Sequence, residues 1–318
     1  MTVVNEPGGA TGPDAARPST SETRVLRGAP LAGALRERVA ADAAAFNEEF
    51  DYSPTLAALM VGHDRASSVY VQQILRSCEL VGVPSRVVEL PAGTNPEQLR
   101  RRIEALNEDR EVAGIIVQMP LPEHIPLATV TDTIRPVKDI DGIHPLNTGL
   151  MALGYEGFLP ACAEAAVSLL RDSGYELEGK RAVVIGRSNV VGKPVQLLLM
   201  REHCTVTVLH RRTRDLPAEV RRAEVLVTAA GSPRLVTADM LSPGVLIADV
   251  GINVVPEGIV GDVEFEGASR LAAAITPVPG GVGPLTNAVL LEHLLRAARW
   301  QASGHPITAG HGRRREVA

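Results

Sequence analysis

Arg181-Ala182-Val183-Val184-Ile185 runs directly into Gly186-Arg187-Ser188-Asn189-Val190-Val191-Gly192-Lys193-Pro194. The first five residues read as a buried strand, and the apolar spacing after Pro194 reads as a helix. A glycine-bearing turn between strand and helix gathers backbone N–H groups and a helix N-terminus at one spot, where a pyrophosphate can bind. The usual dinucleotide fingerprint is not met in full. Ser188 stands at the second glycine position, and Gly192 comes one place late. Taken alone, the stretch also fits a structural turn with no ligand.

The next strand adds information. NAD sites commonly carry Asp or Glu about 20 residues further on, where it bonds the ribose 2′-hydroxyl. Here the strand Val206–Leu209 ends in His210-Arg211-Arg212, and Arg187 lies in the first turn. Guanidinium groups match a 2′-phosphate bidentately and offer nothing special to a hydroxyl. The pattern favours NADP over NAD, the plainer alternative being a solvated arginine pair.

Working outward, strands are expected at Val225–Thr228, Val245–Asp249 and Ala273–Ile275, with helices filling the first gaps. Towards the N-terminus, Pro30–Phe50 is helix-like, and Thr55–Val61, Arg86–Leu90 and Ala113–Gln118 read as strands. Asn95 before Pro96 marks a helix start. Pro160 opens a helix through Leu170, and Leu285–Trp300 is a final amphipathic helix. Alternating strands and helices predict an α/β protein of two lobes, the second a Rossmann-type doubly wound parallel sheet. Residues 1–24 and 303–318 read as flexible tails.

Composition narrows the function classes. Thirty-two basic against 37 acidic residues give a net charge of −5, the reverse of a nucleic-acid-binding footprint. Aromatics at 3% leave few platforms for base stacking. No apolar run reaches membrane-spanning length, so no membrane partner is expected. Cys78, Cys162 and Cys204 are odd in number and far apart, which suggests a reduced, cytoplasmic setting and no disulfide framework. The eight histidines are scattered without metal-site spacing, so no metal is expected.

Several further segments are more specific: Gly114-Ile115-Ile116-Val117-Gln118-Met119-Pro120-Leu121-Pro122, Pro136-Val137-Lys138-Asp139-Ile140-Asp141-Gly142, Asn147-Thr148-Gly149, Asp249-Val250-Gly251-Ile252-Asn253, Gly261-Asp262-Val263 and Thr276-Pro277-Val278-Pro279-Gly280-Gly281-Val282-Gly283-Pro284. With them the chain resembles the methylenetetrahydrofolate dehydrogenase/methenyltetrahydrofolate cyclohydrolase (FolD) family from about residue 25 to 300, in order and without large insertions. The resemblance implies a cytoplasmic homodimer with folate in the cleft between the lobes and NADP on the second. It implies oxidation of 5,10-methylenetetrahydrofolate with NADP and hydrolysis of the methenyl product to 10-formyltetrahydrofolate, which feeds purine synthesis. It divides the chain into a folate-binding catalytic domain at 25–158 plus 286–302 and an NADP-binding domain at 159–285. Position by position, it makes Tyr70, Gln118 and Asp141 the folate-site residues. Asp141 would bind the two adjacent donors of the pterin edge with paired charge-assisted bonds. Gly186, Arg187, Ser188, Arg211 and Ile252 match NADP contacts, and the glycines of Pro279-Gly280-Gly281 would let backbone approach the ligand.

One position departs from the family pattern. The lysine expected four residues after Tyr70, one helical turn along the same face, is Ile74. Arg76 is nearby but points to another part of the helix. Hydride loss requires alignment and no removal of a proton, whereas hydrolysis needs a positioned acid–base group worth about 10²–10⁴ in rate. The reading is a dehydrogenase with weak or absent cyclohydrolase activity. Its alternatives are a bifunctional enzyme with a substitute acid–base group, or a non-catalytic folate- and NADP-binding paralogue.

Overall fold

The structure is a computed structural model that describes residues 23–62, 65–304 and 307. The tails expected at 1–24 and 303–318 lie almost wholly outside those residues. In chain order the elements are β1 (Arg24–Val25), α1 (Gly28–Phe50), β2 (Thr55–Val61), α2 (Arg65–Leu80), β3 (Ser85–Leu90), α3 (Pro96–Glu108), β4 (Val112–Val117), α4 (Ala128–Thr131), α5 (Pro145–Ala152) and α6 (Ala161–Asp172). The second half holds β5 (Arg181–Ile185), α7 (Gly192–Arg201), β6 (Thr205–Leu209), α8 (Leu216–Arg221), β7 (Val225–Thr228), β8 (Leu246–Asp249), β9 (Asn253–Val255), β10 (Gly258–Val260), α9 (Phe265–Ala268), β11 (Ala274–Ile275) and α10 (Val282–Ala302).

The first lobe has a parallel sheet in the order β3-β2-β4. β4 is buried along its whole length, as a strand covered on both faces must be. Asn95 caps α3 as its residue type predicts: its side chain accepts from the Gln98 N–H, and the Gln98 side chain reaches back to the Asn95 N–H, at 2.9 Å each.

The second lobe is a six-stranded parallel sheet in the order β1-β11-β8-β7-β5-β6. From β5 the chain crosses to β6 on one side, then returns to β7 on the other. That reversal opens a crevice outside the carboxyl ends of β5 and β7, where doubly wound sheets bind ligands. β1 corrects the expected division of the chain. Arg24 and Val25 pair in register with Ala274 and Ile275, so the tail assigned to 1–24 ends inside a strand, and Val25 belongs to the second lobe's sheet rather than to the first lobe. The antiparallel hairpin β9-β10 was also not expected.

α10 joins the lobes. Its buried face carries Leu290, Leu291, Leu294 and Leu295, which share one core with α1, α6 and the inward side of α2. No helix among the described residues is long and apolar enough to cross a membrane.

Candidate active site

Gly186 ends β5 with φ +127, and a Cβ there would lie 2.3 Å from the Ala229 carbonyl oxygen at the end of β7. A Cβ on Gly192 would lie 2.2 Å from the Gly186 oxygen. Both glycines therefore let the turn close on the sheet. Ser188, at the expected second glycine, does separate work. Its hydroxyl oxygen accepts the Val191 and Gly192 N–H groups at 3.1 and 3.4 Å, and its carbonyl accepts Lys193 N–H at 3.0 Å. Ser188 thus bonds the first N–H groups of α7 in this structure. The features left for a ligand are the turn itself and its arginines. Gly186 N–H donates to Leu209 O at 2.9 Å, so the ends of β5 and β6 lie side by side. Arg187 and Arg211 are both exposed there, and neither forms an ion pair among the described residues. Two free guanidiniums at adjacent strand ends fit a phosphate-bearing ribose. Ile252 stands exposed beyond β8.

The acidic site is built on the segment 136–142, which is held from every side. Lys138 Nζ donates to the carbonyls of Leu106 and Asp109 at the end of α3, at 3.1 and 2.7 Å. Burial pushes that ammonium down to about 8. Asp139 is fully buried and accepts Ile143 N–H, His144 N–H and the Asn147 side-chain amide. Gly142 has φ +65, and a Cβ there would lie 2.5 Å from the Leu159 carbonyl carbon, so the chain can turn tightly beneath Asp141.

Asp141 differs from Asp139. It is half-buried and receives the Ala161 N–H, while burial first and Asp139 second push its carboxyl up to about 7. Tyr70 on α2 lies close by. Burial, then the charges of Asp141 and Cys162, raise its phenol well above the ordinary value, so it stays protonated and can donate. Cys162 on α6 completes the group. Its thiol is pushed up to about 12, mainly by burial and then by Asp141, and its Sγ donates to Val190 O at 3.6 Å. That contact ties the acidic cluster to the β5–α7 turn. No spacing signal marks Cys162 in the sequence.

Gln118 follows β4, its N–H bonded to Leu59 O and its side-chain amide turned back to Met119 O at 2.7 Å. Pro279 and Gly280 lead into α10, and Gly281 caps it. Gly280 O accepts Gly28 N–H at 3.0 Å, and Gly281 N–H donates to Pro277 O at 2.8 Å. Ile74 is 1% exposed and sits in the main core, with Tyr70 against the same cluster. Arg76 is exposed. Among the described residues no group of three or more His, Cys, Asp or Glu is placed to hold a metal.

A doubly wound lobe with free arginines at its switch point, joined through Cys162 and Val190 to an acidic cluster on a second α/β lobe, defines a two-lobed protein of the nicotinamide-dinucleotide-binding class. The family models narrow this further. The tetrahydrofolate dehydrogenase/cyclohydrolase catalytic domain matches residues 26–141, and that family's NAD(P)-binding domain matches residues 160–302. The chain belongs to the tetrahydrofolate dehydrogenase/cyclohydrolase family. It is 46% identical over 277 residues to the bifunctional protein FolD of Moorella thermoacetica, covering 87% of this chain and 99% of that one. Among solved structures it is similar to the bifunctional FolD of Campylobacter jejuni, with a TM-score of 0.85, 40% identity and coverage of 88% and 99% of the two chains. It is similar also to the FolD of Trypanosoma brucei complexed with NADP cofactor and inhibitor, with a TM-score of 0.85, 36% identity and coverage of 89% and 99%.

Proposed function

We propose that this protein is an NADP-dependent 5,10-methylenetetrahydrofolate dehydrogenase whose cyclohydrolase step is weak or absent. The observation that carries the folate reading is Asp141: a carboxylate set into the fold beside Tyr70 with only the Ala161 N–H for a partner among the described residues. Asp141 binds the paired donors of the pterin, a task a carboxylate performs with two parallel charge-assisted bonds. Tyr70 lies against the folate ring system and donates its hydroxyl proton. Gln118, at the carboxyl end of its strand, orients the substrate. Pro279, Gly280 and Gly281 line the cleft with backbone. Gly186, Arg187, Ser188, Arg211 and Ile252 hold NADP, with the two arginines on its 2′-phosphate. Bound NADP supplies the acceptor for a hydride.

The substrate carbon loses hydrogen with its electron pair, and the resulting cation is stabilised by the folate's own nitrogens. No side chain has to take a proton. Alignment suffices. Hydrolysis makes the opposite demand, because attacking water must lose a proton. Ile74 can neither accept nor donate one, and Arg76, exposed on α2 away from the buried Ile74 face, is poorly placed to replace the lysine.

The division into a folate-binding domain and an NADP-binding domain is part of this reading, as is a cytoplasmic homodimer. Exposed Val254 and Ile259 on the β9–β10 hairpin support a surface for a second copy, which sedimentation of the purified protein checks.

Purified protein supplied with 5,10-methylenetetrahydrofolate should reduce NADP and prefer it to NAD. Absence of reduction with either cofactor, under conditions where both ligands bind, contradicts the proposal and favours a non-catalytic binding protein.

A further inference from the structure

His293, in the middle of α10, is fully buried, and both ring nitrogens are occupied. Nδ1 lies 2.8 Å from the carbonyl oxygen of Ile140, and Nε2 lies 3.0 Å from Oε2 of Glu164 on α6. A carbonyl oxygen only accepts, so Nδ1 carries a proton. Nε2 and Oε2 then need one proton between them, on one atom or the other. Glu164 thereby keeps the imidazole turned with Nδ1–H towards Ile140. The Phe158 ring, 5.5 Å away, packs on the imidazole.

Ile140 immediately precedes Asp141. The segment is fixed upstream by Lys138 and Asp139, whose bonds were described above, and the Lys138 carbonyl accepts Ile115 N–H at 2.8 Å. Ile140 O is the last backbone acceptor before the acid, and the group that holds it comes from a helix 153 residues away. Leu294, next to His293, comes within 2.8 Å of where a Cβ on Gly114 would lie, and Ile140 packs on the same point. The α10 backbone is thus seated firmly enough for its histidine to fix a position.

We infer that His293 is a positioning residue for folate binding: its Nδ1–H holds the Ile140 carbonyl and so sets where the Asp141 carboxylate meets the substrate, with Glu164 keeping the ring in that tautomer. The inference rests on the folate reading of Asp141. It makes no use of the NADP contacts at Arg187 and Arg211, and that separation is testable.

The side-chain amide of Asn can replace Nδ1, and that of Gln can replace Nε2. His293→Asn retains the donor to Ile140 and should leave the KM for 5,10-methylenetetrahydrofolate within about twofold of the parent. His293→Gln loses that donor and should raise the folate KM about tenfold, the worth of one buried hydrogen bond. The KM for NADP should not change, and kcat should change by less than the folate KM. Glu164→Leu, which keeps the imidazole but frees its orientation, should raise the folate KM about threefold and provides the test should His293→Gln fail to fold. Equal effects of the Asn and Gln variants, equal movement of both KM values, or an unchanged folate KM in Glu164→Leu would each overturn the inference. If the unmodified protein oxidises the substrate while the variants show no such split, the inference fails alone. If the unmodified protein does not oxidise it at all, the folate reading fails with it.

Discussion

Asp141 is set apart by what its neighbours already have. Asp139 accepts three hydrogen bonds. Asp249 accepts four, from Thr228, Gly251, Asp262 and Val263. Asp262 also accepts four, from Ala230, Gly231, Ser232 and the Asn253 side chain. Those three acids are scaffold, and Asp141 is left for a ligand. Its carboxyl titrates at about 7, raised chiefly by burial. An unfolded chain gives up this proton near the ordinary 3.8 while the fold retains it, so this group's contribution to stability falls as pH rises from about 4 to about 7. Asp141→Asn should therefore raise the melting temperature of the ligand-free protein at pH 8 and leave it nearly unchanged at pH 4, as thermal melts at the two values would show. The same variant should raise the folate KM about 10- to 100-fold, the loss of charged hydrogen bonds. In the unmodified protein the folate KM should climb as pH drops below 7, because protonation removes an acceptor. A flat KM between pH 6 and 8 would contradict this role.

The strand ends β5 and β6 place Arg187 and Arg211 together. Arg211→Ala should raise the KM for NADP about tenfold or more and leave that for NAD within about twofold, as initial rates with each cofactor would show. The loops after β8 and β10 are interlocked. A Cβ on Gly261 would fall 1.9 Å from the Asp249 carboxylate, and one on Gly251 would fall 2.3 Å from that of Asp262. Gly261→Ala should cost about 2 kcal/mol or more in denaturant unfolding. The Asp-Val-Gly-Ile-Asn and Gly-Asp-Val segments thus owe much of their sequence to this mutual capping, which residue spacing could not disclose. The long strands and the Asn95 cap were legible because periodicity and cap chemistry are local. β1 was not, since two residues have no period and Arg24–Val25 is a strand only by pairing with β11. The β9–β10 hairpin is short and largely exposed, so no apolar alternation marked it.

Across the whole molecule, the two lobes meet where α2, α6 and α10 share a core, and Ile74 is part of that core. The family motifs were legible as a set, yet their division into scaffold acids and a free one depended on burial and hydrogen bonding. Cys162 and His293 carried no sequence signal because their partners, Val190 and Ile140, are far away along the chain. The substitution at 74 could be read from sequence, and the structure adds its setting: an apolar side chain packed into the lobe junction on the same helix face as Tyr70. A lysine there would have to bring its ammonium out along the tyrosine face to escape an unpaired burial. The decisive measurement compares methenyltetrahydrofolate hydrolysis with NADP-dependent methylenetetrahydrofolate oxidation in single preparations of the unmodified protein, Ile74→Ala and Ile74→Lys. The account predicts oxidation with hydrolysis near the buffer rate in the first two, and a gain in hydrolysis of about 10²-fold or more in the lysine variant. Fast hydrolysis by the unmodified protein, unchanged in Ile74→Ala, would contradict it.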